Sequence, residues 1–539
     1  MVVAAKIDKK RRVPFYRYAA LGALGLYATA MTILMLVATL QDPTNHRAVG
    51  PSVVEGIWEA SSSLRGTSNS NIDSNHTAEP TGHGSKEQDP RHKFKTAISD
   101  FLSDLWQAFS LIEHPSSTKV WSVYHSLAVR YFVSEDSRLK GQLPYHLKND
   151  SSIFISMASY RDKLCPATLE EIFSKAAVPQ KIKVGLVQQN CDVDCETFQE
   201  LTPAQMKQKP KPKPQKIKQN GPDIDCAEAF CKSGTNAALQ HCSQIDVIRV
   251  NYLLAMGPCP ARYFASKMWS GQTYYMQIDS HIVFVQNWDR LLLGSLKRAP
   301  SPRPVLSQYP PGVLFPRWQS KPGYRICGAR IQPDLNIRLE ASQLYEWAPS
   351  PEPRYAPFIA AGFFLAPATF LAVAPFDPLL PWVFSGEEIH LSFRFWTHGY
   401  DIFSPGQNYL AHYYSRIDQP KFYEAPRRLF AGSGQIWSRL QRLVTQRIKH
   451  VVGYPEFANA SQLAPPSLAA AALGVYGPGD ARPPEGFHRV VNVDLANKRT
   501  GWVGWCQRGA APAPEEVTAT NVLSDRSALA GPHVAMVEQ

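Results

Sequence analysis

Charge is scarce in this chain. Asp, Glu, Lys and Arg make up 19% of its 539 residues, against roughly 25% in an average soluble domain, and the stretch from Tyr18 to Leu40 holds no charged residue. A glycine-rich phosphate loop, a G-x-S-x-G elbow and a convincing hydrolase pair of carboxylates are also missing. Their absence argues against P-loop nucleotide chemistry and α/β-hydrolase acyl transfer. No cysteine precedes Cys165, and Asp8 is the only acid among the first 17 residues. Apolar residues are not scarce: 44% hydrophobic and 11% aromatic content can bury enough surface to offset the entropy of ordering, which excludes a wholly disordered chain. The length allows one large catalytic-sized domain with attachments, or two or three ordinary ones. With 44 prolines, long irregular stretches should surround the core. The formal charge of +12 gathers in two places, neither of them a nucleic-acid stripe, so no nucleic-acid partner is expected.

The first basic cluster is Lys6, Lys9, Lys10, Arg11, Arg12 and Arg17. Directly after it, residues 18–40 would form a helix of about 34 Å, matching a hydrocarbon core of roughly 30 Å. A cleaved signal peptide is the competing reading, but its apolar stretch should run only about 7 to 15 residues. The basic excess before the span predicts a cytoplasmic tail over 1–17, with everything past Leu40 in a secretory lumen. All nine cysteines lie on that side, where disulfides persist. The odd number leaves one unpaired within the chain. The crowding of Cys191, Cys195, Cys226, Cys231 and Cys242 beside His241 also admits a zinc site. Asn75, Asn149 and Asn459 open N-glycosylation tripeptides, as suits a lumenal protein.

Residues 41 to about 92 are polar and read as a tether. Phe94, Ile98, Phe101, Leu102, Leu105 and Phe109 then recur at helical spacing, predicting a stem helix packed on the globular part or on a partner chain. The tether and stem together span 41–150. From Ile153 the pattern becomes IFISMAS, a helical segment over 167–177, then IKVGLVQQ. This is the start of a β-α-β unit with a parallel pair. The second basic cluster, in the loop 202–222, alternates Lys and Pro, so it reads as a solvated surface loop or as a site for an acidic partner. The next unit has DVIRV as a strand, a helix over 261–269, and YYMQI as a buried strand running into Asp279, Ser280 and His281. Ligands of open α/β sheets bind beyond the carboxyl ends of the strands. Asp279 and His281 alternate along extended chain and so point to one side, and a carboxylate with an imidazole suits a divalent cation such as Mn²⁺.

The ordered blocks IFISMASYRD, IKVGLVQQN, GPCPARYFASKMWSGQTYYMQIDSH, VLSQYPPG, FIAAGFFLAP, FSGEEIHLSFRFWTHGYDIFSP and AHYYSR resemble the family 60 glycosyltransferases. Those enzymes add N-acetylglucosamine to protein hydroxyproline or to Ser/Thr. The likeness covers about Ile153 to Arg416. More distantly, R-x-x-A-x-x-x-x-G before D-x-H is similar to the mucin-type polypeptide N-acetylgalactosaminyltransferases. Both resemblances imply an α/β fold of the Rossmann-like GT-A type over 151–425, a UDP-sugar donor and retention at the anomeric carbon. They imply Asp279 and His281 as metal ligands, with His412 as the third. Ser159, Tyr160 and Arg161 would cradle uridine, and Arg262 would face the donor. Glu387 and Glu388 open a helix over the site, where one would hold the donor sugar or support the oxocarbenium-like transition state; capping of the helix dipole is the plainer role.

Trp269, Tyr274, Tyr275 and Trp288 are expected in the core, and His390 and His398 are expected to be structural. Tyr309, Pro310 and Pro311 would form a fixed turn. Trp382, Phe384 and Trp396 are candidates for the acceptor side. Residues 426–539, rich in Ala, Pro and Gly towards the end, form an extension with no readable role. Together these expectations describe a single-pass type II Golgi membrane protein. It would transfer N-acetylglucosamine from UDP-GlcNAc, with Mn²⁺, to a hydroxyl of a protein or glycan acceptor. Another UDP-sugar such as UDP-GalNAc or UDP-Gal, a non-catalytic lumenal binding protein, and a binder of acidic polysaccharide are the alternatives.

Overall fold

Phe94, Ile98, Phe101, Leu105 and Phe109 all lie on the buried face of one helix, α1 (Pro90–Ser110). Asp89 starts it by accepting the Arg91 N–H at 2.9 Å, and Pro90 occupies the first turn, where no N–H is needed. A second helix, α2 (Ser117–Ala128), is capped by Ser116 and buries Val120, Trp121 and Tyr124. At about 1.5–3 kcal/mol for each large apolar side chain removed from water, this surface has to be covered. It packs into the domain itself: Phe101 meets Phe264 at 6.1 Å between ring centroids and Phe109 meets Trp382 at 6.3 Å. The expected stem is thus part of the core.

The structure is a computed structural model describing residues 89–512 and 535–536, apart from 203–204, 206–207, 209–211, 342–348, 432, 434, 464 and 466–470. The expected tail, span and most of the tether, with Asn75, lie outside the described residues. Among the described residues no helix is long and apolar enough to cross a membrane. Asn149 and Asn459 are exposed.

The apolar runs become strands of one eight-stranded mixed sheet. β1 (Ile153–Tyr160), α3 (Cys165–Ser174) and β2 (Ile182–Asn190) form the β-α-β start, with β1 and β2 parallel from Ile153 opposite Ile182. β3 (Ile245–Asn251) follows, then α4 (Pro258–Ser266) and β4 (Tyr274–Asp279). After β4 come the short β5 (Ile282–Phe284), α5 (Trp288–Arg298), β6 (Pro304–Ser307), β7 (Arg354–Tyr355) and β8 (Phe363–Pro367). The remaining elements of interest are α6 (Glu387–Thr397), β9 (Asp401–Ser404), β10 (Leu410–His412) and α7 (Ile436–Val452). The strand order is β7-β9-β6-β8-β4-β1-β2-β3. β8 runs antiparallel to both β4 and β6. The central strands are buried on both faces, as a helix-covered sheet requires.

Four disulfides, Cys165–Cys226, Cys191–Cys195, Cys231–Cys242 and Cys327–Cys506, take up eight cysteines and leave Cys259 unpaired and buried. The zinc reading therefore fails: every cysteine of the crowded group is bridged, and His241 stacks on Phe173 at 5.1 Å instead. Within the basic loop, Lys216–Lys218 pair with Glu196–Phe198 as an exposed ribbon. The residues after 425 do not stand apart from the sheet and its helices. In α7, Arg447 makes a buried ion pair with Asp377 at 2.7 Å, and a Cβ on Gly386, the residue before α6, would stand 3.0 Å from Ile448 Cδ1.

Candidate active site

β4 delivers Asp279 at its last residue, and the tight turn that follows is pinned from α3. The Thr168 hydroxyl donates to the Ser280 carbonyl at 3.0 Å and accepts the Ile282 N–H at 3.0 Å. His281 is thereby fixed beside Asp279. The third group arrives through strand pairing: β10 lies antiparallel to β5 with His412 opposite Ile282, and Tyr413 N–H donates to the His281 carbonyl at 3.1 Å. The two imidazoles meet edge to face with centroids 4.4 Å apart. His412 Nε2 is 3.1 Å from Asp279 Oδ2. One ligand atom from each of Asp279, His281 and His412 falls within 4.8 Å of the others.

The protonation pattern suits a cation. Asp162, just past β1, places Oδ2 2.7 Å from His281 Nδ1 and accepts the Ser280 hydroxyl at 2.6 Å. Burial would raise Asp162, but the hydrogen bond from His281 and the charge of Arg416 hold it down to about 2. With Nδ1 held by a carboxylate, the His281 Nε2 lone pair is left for an ion, a common arrangement behind metal-ligating histidines. Burial, the dominant cause, with the charge of Arg416, pushes His281 below its usual range against the pull of Asp162. Asp279 is held far below the carboxylate range: burial opposes this, but the His412 hydrogen bond and the Arg262 charge outweigh it. Two imidazoles and one carboxylate form a donor set for a borderline divalent cation such as Mn²⁺, so the residues fit the ion expected for them.

Behind the triad, Arg262 on α4 forks between two carboxylates, reaching Asp279 Oδ1 at 3.0 Å and pairing with Glu387. Gly386 turns the chain into α6 with φ +105°, where glycine is favoured, and Glu387 and Glu388 follow. Glu388 accepts the Tyr309 hydroxyl at 2.6 Å and the Ala361 N–H at 3.0 Å. Burial pushes its carboxyl up to about 7 despite these bonds, with Glu387 adding to the effect. Gly362, directly after Ala361, faces the triad: a Cβ there would stand 3.0 Å from Asp279 Oδ2.

Some expected site residues are placed differently. Arg262 lies between two carboxylates that hold both its terminal nitrogens, while its buried Nε has no hydrogen-bond partner among the described residues. Arg161 is likewise enclosed. Its guanidinium pairs with Asp223 at 2.7 Å and Glu424 at 2.9 Å, donates to the Glu196 carbonyl and lies over the Tyr252 ring. Its guanidinium thus ties the end of β1 to the segments that carry Asp223 and Glu424. Ser159 is buried, while Tyr160 is half-buried with its hydroxyl on Glu424 at 2.9 Å. Trp382 and Trp396 are core residues, not acceptor surface, whereas Phe384 is exposed and stacks on Phe422 at 6.1 Å. Tyr309 is more than a turn residue, since it holds Glu388. Asp162, Thr168, Gly362 and Arg416 were not foreseen; the one signal for Asp162 was an acid directly after the first strand.

The fold and site can be set beside known proteins. No curated protein matches the sequence. Among solved structures, GalNAc-T7 with UDP, GalNAc and Mn²⁺ is similar at 13% identity and a TM-score of 0.38, over 62% of this chain and 56% of that one. The mannosyltransferase PcManGT from Pyrobaculum calidifontis, in complex with GDP-Man and Mn²⁺, gives 11% identity and 0.29 over 67% and 83%. S. aureus TarS 1–349 with UDP-GlcNAc gives 13% and 0.27 over 60% and 80%. A family model described as Glycosyltransferase (GlcNAc) matches residues 152–497. That span reaches past Arg416, so the family region includes α7 and much of what looked like an extension. It holds the whole sheet, the Asp279–His281–His412 triad and the paired glutamates, and the chain belongs to the Glycosyltransferase (GlcNAc) family.

Proposed function

We propose that the protein is a metal-dependent, retaining glycosyltransferase of GT-A type that moves N-acetylglucosamine from UDP-GlcNAc to a hydroxyl of a protein acceptor, on Ser/Thr or hydroxyproline. The observation that carries this reading is the convergence of Asp279, His281 and His412 at the carboxyl end of a central strand, in a chain of this family. A divalent cation held there supplies Lewis-acid neutralisation of the charge that develops on a departing diphosphate. The protein's own groups do the rest. Asp162 fixes the His281 ring, and Arg262 fixes the orientation of Asp279 through its second oxygen. Glu388, held by Tyr309 and the Ala361 N–H, follows Glu387, which shares Arg262 with Asp279; from there its carboxyl can hold a sugar hydroxyl or favour positive charge at the anomeric carbon. The blocks that resemble family 60, with the family match over residues 152–497, support UDP-GlcNAc as donor. The uncharged stretch over 18–40, the basic cluster before it and the four disulfides support a type II anchor with the catalytic part in the Golgi lumen.

Donor hydrolysis tests the reading without knowledge of the acceptor. Protein is incubated with Mn²⁺ and a panel of UDP-sugars, and released UDP is measured. Selective release from UDP-GlcNAc, abolished by EDTA and by His281→Ala, is the expected result. Selective release from UDP-GalNAc or UDP-Gal would reassign the donor, and UDP binding indifferent to metal and to Asp279→Ala would reduce the protein to a binding module.

A further inference from the structure

One cation already stands against the triad. Arg416 Nη1 lies 3.4 Å from His281 Nε2, and Arg416 Nη2 lies 3.4 Å from Asp162 Oδ2. His281 Nε2 is the nitrogen that Asp162 leaves free by holding Nδ1. The guanidinium and a divalent ion therefore compete for the same lone pair. Arginine does not lose its proton in proteins, so the competition cannot be relieved by titration. The contact is also displaceable: 3.4 Å is the weak end of the hydrogen-bond range, and the Arg416 side chain is 16% exposed. Its other ties lie within its own turn, where Nε donates to Gln419 Oε1 at 2.8 Å and Lys421 Nζ donates to the Arg416 carbonyl at 2.6 Å.

We infer that Arg416 is a positioning residue that keeps a bare divalent cation off His281 and yields when the ion arrives together with a nucleoside diphosphate. The inference rests on the metal-dependent reading above. Around the triad the charged groups are Asp279, Asp162 and Glu387 against Arg262 and Arg416, with Lys421 behind Arg416. A lone ion would add two positive charges to this set. A diphosphate brings the negative charge that restores the balance, so ion and nucleotide bind with positive coupling, which by linkage acts equally on both. The consequence is a site that fills cooperatively with metal and nucleotide.

The test is a titration of full-length protein with Mn²⁺ alone and with Mn²⁺ in the presence of UDP, followed by the loss of the free-ion electron paramagnetic resonance signal. Arg416→Gln should bind Mn²⁺ alone about ten-fold more tightly than wild type, and the further gain from UDP should shrink by a comparable factor. Arg416→Lys, which keeps the charge, should stay close to wild type. Equal or weaker ion binding by Arg416→Gln overturns the inference, as does equal tightening by Arg416→Lys. Failure of the wild type to bind Mn²⁺ even with UDP is a different result: it removes the metal-dependent reading and this inference with it. Near-ultraviolet circular dichroism establishes that both variants retain native packing.

Discussion

Tyr309 donates its phenolic hydrogen to Glu388 Oε2 at 2.6 Å, across the gap between the loop after β6 and the start of α6. With the Ala361 N–H on the other oxygen, the carboxyl is fixed in direction. Burial, its main perturbation, raises its proton affinity from 4.5 to about 7.

A raised carboxyl has a defined effect on stability. Between pH 4.5 and about 7 the folded chain holds a proton that the unfolded chain has released. The contribution is therefore complete below pH 4.5 and is lost as pH rises through 7. The size is up to about 3 kcal/mol. Urea midpoints of Glu388→Gln should vary less between pH 5 and 8 than those of wild type. Donor hydrolysis by the same variant should fall on the order of a hundred-fold, the usual cost of removing one aimed polar group. Unchanged turnover would leave Glu388 only a structural role.

Legibility in the sequence followed the range of the interactions. Asp279 and His281 could be read because a two-residue spacing at a strand end is local, and α1 because its apolar period is local. His412 came only through family resemblance, since it reaches the site by β10 pairing with β5, more than a hundred residues away. The ion pairs of Arg161 and Arg262 were not legible in the sequence. A lone arginine in the sequence carries no sign of the carboxylates that will enclose it, and here Asp223, Glu424, Glu387 and Asp279 all come from distant segments. Trp382 was misplaced for a related reason: α1 and α2 bury it, as its contacts with Phe109 and Tyr124 record.

Gly362 supplies a test of how closely the site is fitted. Its backbone does not demand glycine, as its φ lies outside the left-handed region, so alanine should fold normally. The added methyl would stand 3.0 Å from Asp279 Oδ2, inside the space an ion or sugar needs. Gly362→Ala should keep the wild-type melting temperature and show a KM for the UDP-sugar donor raised roughly ten-fold, the effect of a contact worth about 1.4 kcal/mol. A lower melting temperature with an unchanged KM would count against this placement.

Arg262 joins Glu387 and Asp279 in a buried chain of opposite charges. Replacing it with methionine keeps the bulk and leaves two carboxylates facing each other without their cation. Breaking such a pair costs about 3–5 kcal/mol. Arg262→Met should unfold at correspondingly lower urea, while Arg262→Met with Glu387→Gln should recover part of the loss. If the double variant is no better than the single one, Glu387 is not the partner that matters.

Cys327 and Cys506 lie 179 residues apart and join the strand Ile326–Ile331 to the last described helix, Gly504–Arg508. The loop they close includes α6, β10 and α7, hence the paired glutamates and His412. Closing a loop of this length removes unfolded-state entropy worth about 5 kcal/mol in the chain-entropy account. The short Cys191–Cys195 loop, with a separation of 4, should contribute much less. A Cys327→Ser, Cys506→Ser variant should therefore lose several kcal/mol in urea unfolding, whereas Cys191→Ser, Cys195→Ser should lose clearly less. The two bridges sit differently with respect to the triad as well. If donor hydrolysis of the first variant, measured below its unfolding transition, responds to Mn²⁺ as the wild type does, the long bridge acts on stability alone, and the His412 position depends on the β5–β10 ribbon rather than on the covalent loop around it.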